Sequence, residues 1–474
     1  MPREKDTERW KTSGEPNVVE SGVMGWSLQI YWVELLLFYA LALGIVLLPL
    51  RWSLLCLLLA GCVEVIPPGF VATTSIGWEN MTERLLLPSL LLLRLTRFRL
   101  PRIRWGFSSK AWATLVLYAA ISILWSPFRL SGLKMVAYLA AWFVFYLVFN
   151  LAWRRGLLHQ GIVIAALWGS LALAGLQTYV LGNPLWGMES RAGEFASAQF
   201  APFTGPQSFG PFLTCLLALL LFSRERRVFR STSIGACLFA LVLVGSRYSL
   251  IEAGIVVLAW CLIWARVVRR KAGLRLAPLL GILLLIVPLF LGLRATMEWA
   301  MPESRVNQLL ELESTPEVAE VGTFGWRLLL YHGVLTGLSN RSLAGLAFGS
   351  GTSSGGEIAT GEQRALFEDV DPNRTIHDEF LRAEYEWGFI GLGLGVGLLI
   401  YASRALWARA FRLRSIAGYA ALAIMPGILL ALLIENPLAG PGSAESLGYL
   451  LVLSYGFTLG RRTYYTARNA DAGG

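Results

Sequence analysis

Charge is scarce in this chain. Only 15% of its 474 residues are Asp, Glu, Lys or Arg, where a soluble globular protein carries about a quarter. With 55% hydrophobic residues and a mean hydropathy of +0.57, an ordinary water-soluble fold is excluded and a membrane composition remains. Cysteine is equally sparse. The five cysteines, Cys56, Cys62, Cys215, Cys237 and Cys261, lie in apolar segments with no C-x-x-C pair, which argues against a disulfide framework or a thiolate metal site. The net charge of +10 comes without any basic stripe interleaved with aromatics, so nucleic acid is not an expected partner. The first residues, MPREKDTERWKTSGEPNVVESG, lack the basic start, short apolar core and small-residue site of a cleaved signal. They read as a polar tail.

What the chain has in abundance is apolar runs of about 20 residues, the length that crosses a bilayer core. Their periodicity and flanks place spans near 28–50, 52–68, 84–97, 111–125, 134–152, 161–182, 206–222, 232–246, 249–266, 275–294, 387–403, 415–434 and 446–460. The expected fold is therefore all-α, a polytopic transmembrane bundle of twelve spans or thirteen, with twelve favoured. The first three segments are the weakest signals, because "LLLPSLLLLRLTRF" is short and "CVEVIPPGF" is broken by prolines.

The loops divide by charge. "LTRFRLPRIRWGFSSK", "AWRRGLL", "SRERRVFR", "RVVRRKAGLR", "SRALWARAFRLR" and "GRRTYYTAR" are rich in Arg, and the alternate loops are nearly free of it. That asymmetry assigns the first group and the C-terminus to the cytoplasm. It follows that residues 295–376 form a large loop on the other side, longer than an ordinary connection. The loop carries helical periodicity in "PESRVNQLLELE" and "GWRLLLYHGVLTGLS", and "GLAFGSGTSSGG" reads as a glycine-rich turn. The expected organisation is a tail over 1–27, an N-terminal bundle over 28–294, the extracytoplasmic loop over 295–376, closing helices over 377–460 and a cytoplasmic tail over 461–474.

Candidate chemistry gathers at the mouth of the first closing span, in "DPNRTIHDEFLRAEYEWGFIG". Thr375 and Asp378 fit a T-x-x-D capping pattern, which predicts a helix starting near Thr375 with His377 in its first turn. There the free amides favour an anion and disfavour imidazolium, leaving a neutral ring able to accept a proton. Of the other histidines, His159 reads as solvated and His332 as packed or interfacial. Several arginines fall on the same outer side: Arg247 in "GSRYSL", Arg191 in "ESRAGEF", Arg327 with Tyr331 one turn on, and Arg374 beside His377. Single boundary arginines often only snorkel, but the loop around these is acidic, and a guanidinium fork suits phosphate oxygens. Most carboxylates here read as caps or as i,i+3 and i,i+4 partners of Arg382. Glu386, close to lipid, reads as the partner of an arginine. No EF-hand spacing or H-E-x-x-H occurs, so no metal site is expected.

Taken in order, several segments make the chain resemble the O-antigen ligase and polymerase superfamily. Gly205, Pro206, Gln207, Ser208, Phe209 and Gly210 stand where that family has an N-P-N-like span entry. Ser246 and Arg247 resemble its S-R turn between two spans. "GWRLLLYHGVLTGLSNRSLAGLAFGSG" resembles its R-x-x-x-W/Y helix and glycine turn. His377, Phe380, Leu381, Glu386, Gly388 and Gly391 resemble H-N-x-[FY]-L followed by E-x-G-x-x-G. The likeness covers roughly residues 190–395. Asp378 departs from the usual Asn, Gln207 from an Asn, and Ala347 from a Gly.

This resemblance implies a GT-C-like, metal-independent, inverting glycosyltransferase of the bacterial inner membrane, without cofactor and with its site facing the periplasm. It implies an undecaprenyl-diphosphate-linked glycan donor and a hydroxyl acceptor on a glycan or on lipid A-core. Arg247 and Arg327 would clamp the diphosphate, His377 would be the general base, and Arg191, Arg374, Gln207, Tyr331 and Glu386 would bind substrate. A ligase reading leads; the alternatives are a polymerase, whose acceptor is a second lipid-linked repeat, and a polysaccharide transporter or flippase. A transporter should show internal repeats or mid-span charges, and no repeat is evident.

Overall fold

The computed structural model describes residues 18–63, 85–96, 107–181, 200–202, 206–223, 227–244, 246–272, 323–356, 358, 376, 378–434, 437–439 and 443–458. Within these the side chains of some helix-end residues, Arg247 and Arg327 among them, fall outside the description. The described residues are all-helical, without a strand. In chain order the helices are α1 (Val18–Leu47), α2 (Leu50–Ala60), α3 (Leu87–Thr96), α4 (Phe107–Ser122), α5 (Arg129–Arg154), α6 (Gln160–Gly175) and α7 (Pro206–Leu221). They continue as α8 (Arg227–Val244), α9 (Arg247–Ala272), α10 (Thr323–Ser339), α11 (Leu343–Phe348), α12 (Glu379–Trp407), α13 (Ile416–Ile434) and α14 (Ala444–Thr458).

Four segments are long and apolar enough to cross a membrane: Arg129–Arg154, Gln160–Val180, Glu379–Arg412 and Ile416–Leu433. The remaining apolar helices are shorter. Most expected spans coincide with a helix to within a few residues, but in the span expected over 52–68 the helix ends at Ala60, capped by Gly61, and residues 64–68 lie outside the described ones. The expected span over 275–294 lies outside the described residues, as does "PESRVNQLLELE".

A helix that is apolar on every side belongs in the middle of a bundle. α7, "PQSFGPFLTCLLALLL", is such a helix, and Phe209, Phe212, Leu213, Leu216 and Leu220 are wholly buried. α6, α8, α9, α13 and α14 pack around it. α14 in turn contacts α5 and α13, and the Trp153 indole donates to Leu451 O at 3.1 Å to tie α5 to α14. The five cysteines are free, four buried and Cys56 half-buried, as small apolar residues should be.

One end of the bundle collects helix C-termini, and arginines serve their orphan carbonyls. Arg94 donates to Ile45 O and, at 2.7 Å, to Leu48 O, closing α1. Arg155 donates to Leu95 O at the end of α3, and Arg409 to Gly456 O at 2.9 Å in α14. His159 is exposed, as expected, and also caps α6 by accepting from Gly161 N at 3.1 Å. His332 is exposed on α10 rather than packed.

Candidate functional site

The opposite end of the bundle is built around the start of α12. Asp378 is the N-cap: its carboxylate accepts from Phe380 N at 2.8 Å and Leu381 N at 2.9 Å. Burial pushes the Asp378 carboxyl up, and the amides of Leu381 and Phe380 pull it back. The helix begins at Glu379. This corrects the expected start near Thr375: Asp378 fills the cap position itself, so His377 precedes the helix in sequence and the first-turn argument for its neutral ring falls.

Glu379, Arg382 and Glu386 recur at i, i+3 and i+7 and share one face. Arg382 Nη2 lies 2.6 Å from Glu379 Oε2, with Arg382 only 1% exposed. The contact is ionic without hydrogen-bond alignment, and none of the guanidinium nitrogens has a hydrogen-bond partner among the described residues. The other Glu379 oxygen accepts from Leu438 N at 3.1 Å. Glu386 accepts from the amides of Ser353 and Gly355 and feels the Arg382 charge. The expected Glu379–Arg382 pair is thus present, whereas Asp378 is spent on the cap.

Nine residues on from Glu379, α12 kinks at Gly388, whose φ of 62° and ψ of −171° only glycine adopts at low cost. The kink removes the next-turn partners of the preceding carbonyls, and a second segment takes them up. Tyr385 O accepts from Ser350 N at 3.0 Å and from Arg341 Nη1 at 2.8 Å; Glu386 O accepts from Gly351 N at 2.8 Å; Trp387 O accepts from the Tyr118 hydroxyl at 3.0 Å. The Arg341 guanidinium also stacks 3.8 Å above the Tyr385 ring. Thr352 locks the junction: the Trp387 indole donates to its hydroxyl at 2.9 Å, its own hydroxyl reaches Ala119 O at 2.7 Å, and Ser126 Oγ donates to its carbonyl at 2.7 Å. The expected glycine-rich turn is therefore shorter than the segment read from sequence. Leu343–Phe348 is helical, capped by Ser342, and the turn proper starts at Gly349.

The second pair of sequence motifs also meets. The start of α7 packs so closely on the start of α9 that a Cβ at Gly210 would lie 2.0 Å from Ser249 Oγ. Ser249 Oγ donates to Ser246 Oγ at 2.9 Å, beside Arg247. The two halves belong to the same end of the bundle. Leu438 binds Glu379, Pro437 O accepts from Ser446 Oγ at 3.1 Å, and Tyr449 one turn further on bonds Tyr248 at 2.6 Å.

Below this end an apolar cavity of about 210 Å³ runs between α4, α5, α12, α13 and α14. Trp112, Trp142, Tyr146, Tyr449 and Phe457 are in its wall, and Glu379 is the one charged lining residue among those described. Along α12 the lining extends from Glu379 to Ala402, roughly 34 Å of helix contour at about 1.5 Å per residue.

Of the expected site residues, Gln207 is exposed at the start of α7, Tyr331 is half-buried on α10, and Glu386 is buried at the kink. Arg247 opens α9 and Arg327 lies in the second turn of α10, but neither side chain is described. Arg191, Arg374 and His377 lie outside the described residues. Sequence reasoning passed over Arg341, Thr352, Tyr118 and the structural weight of Arg382; the i, i+3, i+7 spacing around Arg382 was the available signal. Among the described residues no group of three His, Cys, Asp or Glu is placed to hold a metal ion. Compared with protein-family models and with curated proteins, the chain matches none.

Proposed function

We propose that this chain is an integral-membrane glycosyltransferase of O-antigen ligase type. In this reading it is a polytopic GT-C-like bundle of about twelve spans in the bacterial inner membrane, with its site facing the periplasm. It moves a glycan from undecaprenyl diphosphate to a hydroxyl acceptor such as lipid A-core. The observation that carries the reading is the meeting of separate motifs at one end of the bundle: Gly210 against Ser246–Ser249, and the Gly349–Thr352 turn against Tyr385–Gly388. Glu379 at that end also lines an apolar, aromatic-walled cavity suited to a lipid tail.

The chemistry follows from the bonds that change. The acceptor oxygen attacks the anomeric carbon, the bond from that carbon to the diphosphate oxygen breaks, and the acceptor proton passes to a base. Charge gathers on the leaving diphosphate, which fixed cations in a water-poor site stabilise. Arg247 and Arg327 are assigned to that clamp and His377 to the base, with Arg191, Arg374, Gln207, Tyr331 and Glu386 as substrate contacts. A single displacement inverts the anomeric centre.

The test is reconstitution in liposomes with an undecaprenyl-diphosphate-linked saccharide and either lipid A-core or a second lipid-linked repeat as acceptor, with and without chelator. Wild type should release undecaprenyl diphosphate in the lipid A-core arm regardless of chelator. His377→Ala should insert normally and lose about 10²-fold or more in rate, and Arg247→Ala should fall at least as far. Release only with the second repeat would make the chain a polymerase. No release in either arm, or an undiminished rate in either variant, would overturn the assignment.

A further inference from the structure

The basic end of the bundle holds a second arrangement, apart from the residues assigned above. Tyr146 of α5, Ala402 of α12 and Phe457 of α14 line the end of the apolar cavity farthest from Glu379. Two arginines stand just beyond them. Arg409 follows α12, donates Nη1 to Gly456 O at 2.9 Å and holds its guanidinium 5.2 Å above the Phe457 ring. Arg154 closes α5. The two guanidinium charges act on each other, and both act on the Tyr146 hydroxyl. Tyr146 in turn packs edge-on against Phe457, with ring centroids 6.4 Å apart.

Like charges held together repel unless something negative lies between them. Among the described residues no carboxylate pairs with either guanidinium. The Tyr146 hydroxyl there accepts one hydrogen bond, from Asn150 Nδ2 at 3.4 Å, and has its own proton left to give. Donors therefore converge without an acceptor. Arginines that only snorkel would point apart into water, whereas these meet over the aromatic rim of a cavity. The complement is an oxyanion, and a guanidinium fork fits phosphate oxygens. Depth names its source. Trp407, two residues before Arg409, is 57% exposed and packs on Phe411 at 4.3 Å, the place an indole takes at a membrane–water interface. The arginines thus sit at headgroup level, with the apolar wall of Leu453, Leu399 and Gly395 running on from there. A phosphate in solution would leave that apolar space empty, and a phospholipid fills both parts.

We propose that this end of the bundle binds one anionic phospholipid of the surrounding bilayer. Arg154, Arg409 and the Tyr146 hydroxyl hold its phosphodiester, and one acyl chain lies along α12 past Ala402 and Leu399 toward Gly395. The Glu379 end of the cavity, which the transferase reading uses, is left to the donor's tail.

Native mass spectrometry of the full chain tests this without any glycan, so its outcome is independent of the transferase reading. The chain is stripped of lipid in detergent and titrated with phosphatidylglycerol or phosphatidylcholine of the same chain length. Wild type should take up one phosphatidylglycerol about tenfold or more tighter than phosphatidylcholine. Arg154 has no hydrogen bond or ion pair among the described residues, so Arg154→Gln should fold. It should weaken phosphatidylglycerol about fivefold and leave phosphatidylcholine unchanged. Gly395→Leu puts a side chain into open space in the cavity wall and should weaken both lipids; Leu399→Phe serves if it fails to insert. Equal affinity for the two lipids, or undiminished phosphatidylglycerol binding in Arg154→Gln, would overturn the headgroup assignment. Undiminished binding in the cavity variant would take the chain out of the cavity, and displacement of the lipid by equimolar glycerol phosphate would make this a site for free phosphate. Either result sinks the proposal.

Discussion

Removing the Arg382 guanidinium would leave two buried carboxylates, Glu379 and Glu386, without the cation that acts on both. Breaking a buried pair from one side costs about 3–5 kcal/mol, because the remaining charge is uncompensated. Arg382→Met should therefore destabilise the chain by that order in a denaturing-detergent titration. The double variant Arg382→Met with Glu379→Gln should recover much of the loss, since it also removes the stranded charge. If the double variant is as unstable as the single, lost packing rather than charge is the cause. The pair itself was legible in the sequence, because i,i+3 spacing puts two side chains on one face. Its burial was not, since spacing says nothing of what covers that face. The cap was misread for a related reason. Thr375 and Asp378 are both capping residue types three apart, and only the backbone at Asp378, with φ of −159° and ψ of 112°, shows which of them meets the free amides.

At the scale of elements, α12 is two helices joined at Gly388. Apolar composition sets the expected span to begin at 387 but gives no sign of a kink there, and the helix is apolar enough to cross a membrane from Glu379. What periodicity cannot reveal is that carbonyls released by the kink become acceptors for a segment some 35 residues upstream. Gly349 and Gly388 meet backbone to backbone there, both with positive φ. A Cβ on Gly388 would lie 2.4 Å from Ala347 O, and one on Gly349 would lie 2.4 Å from Glu386 O. Gly388→Ala thus adds a backbone clash to a conformation that costs other residues about 1–3 kcal/mol. It should lower the unfolding midpoint and expose Trp387, read as a red-shifted tryptophan emission. Gly393, Gly395 and Gly397 lie further along the same helix with open space around them. Replacing any of these with Ala should be neutral or stabilise by up to about 1 kcal/mol. Equal damage at Gly388 and Gly395 would show that the kink carries no special constraint.

Across the whole molecule, arginines gather at one end and the acidic start of α12 at the other. Two causes produce that pattern. Helix C-termini attract guanidinium groups, as Arg94, Arg155 and Arg409 show by their carbonyl partners. Retention of basic loops in the cytoplasm produces it as well, and only the second fixes which end faces out. Leu343 on α11 is 86% exposed beside the kink, and Leu413 beyond α12 is 50% exposed at the other end. The native cysteines are a low background, four of them buried. If the basic end is cytoplasmic, a membrane-impermeant maleimide should label Leu343→Cys in cells whose outer membrane alone is permeabilised. Leu413→Cys should react only after the inner membrane is opened. The reverse pattern would put the start of α12 and the assigned arginines in the cytoplasm, away from any lipid-linked glycan displayed on the outer leaflet. The transferase reading would then lose its donor.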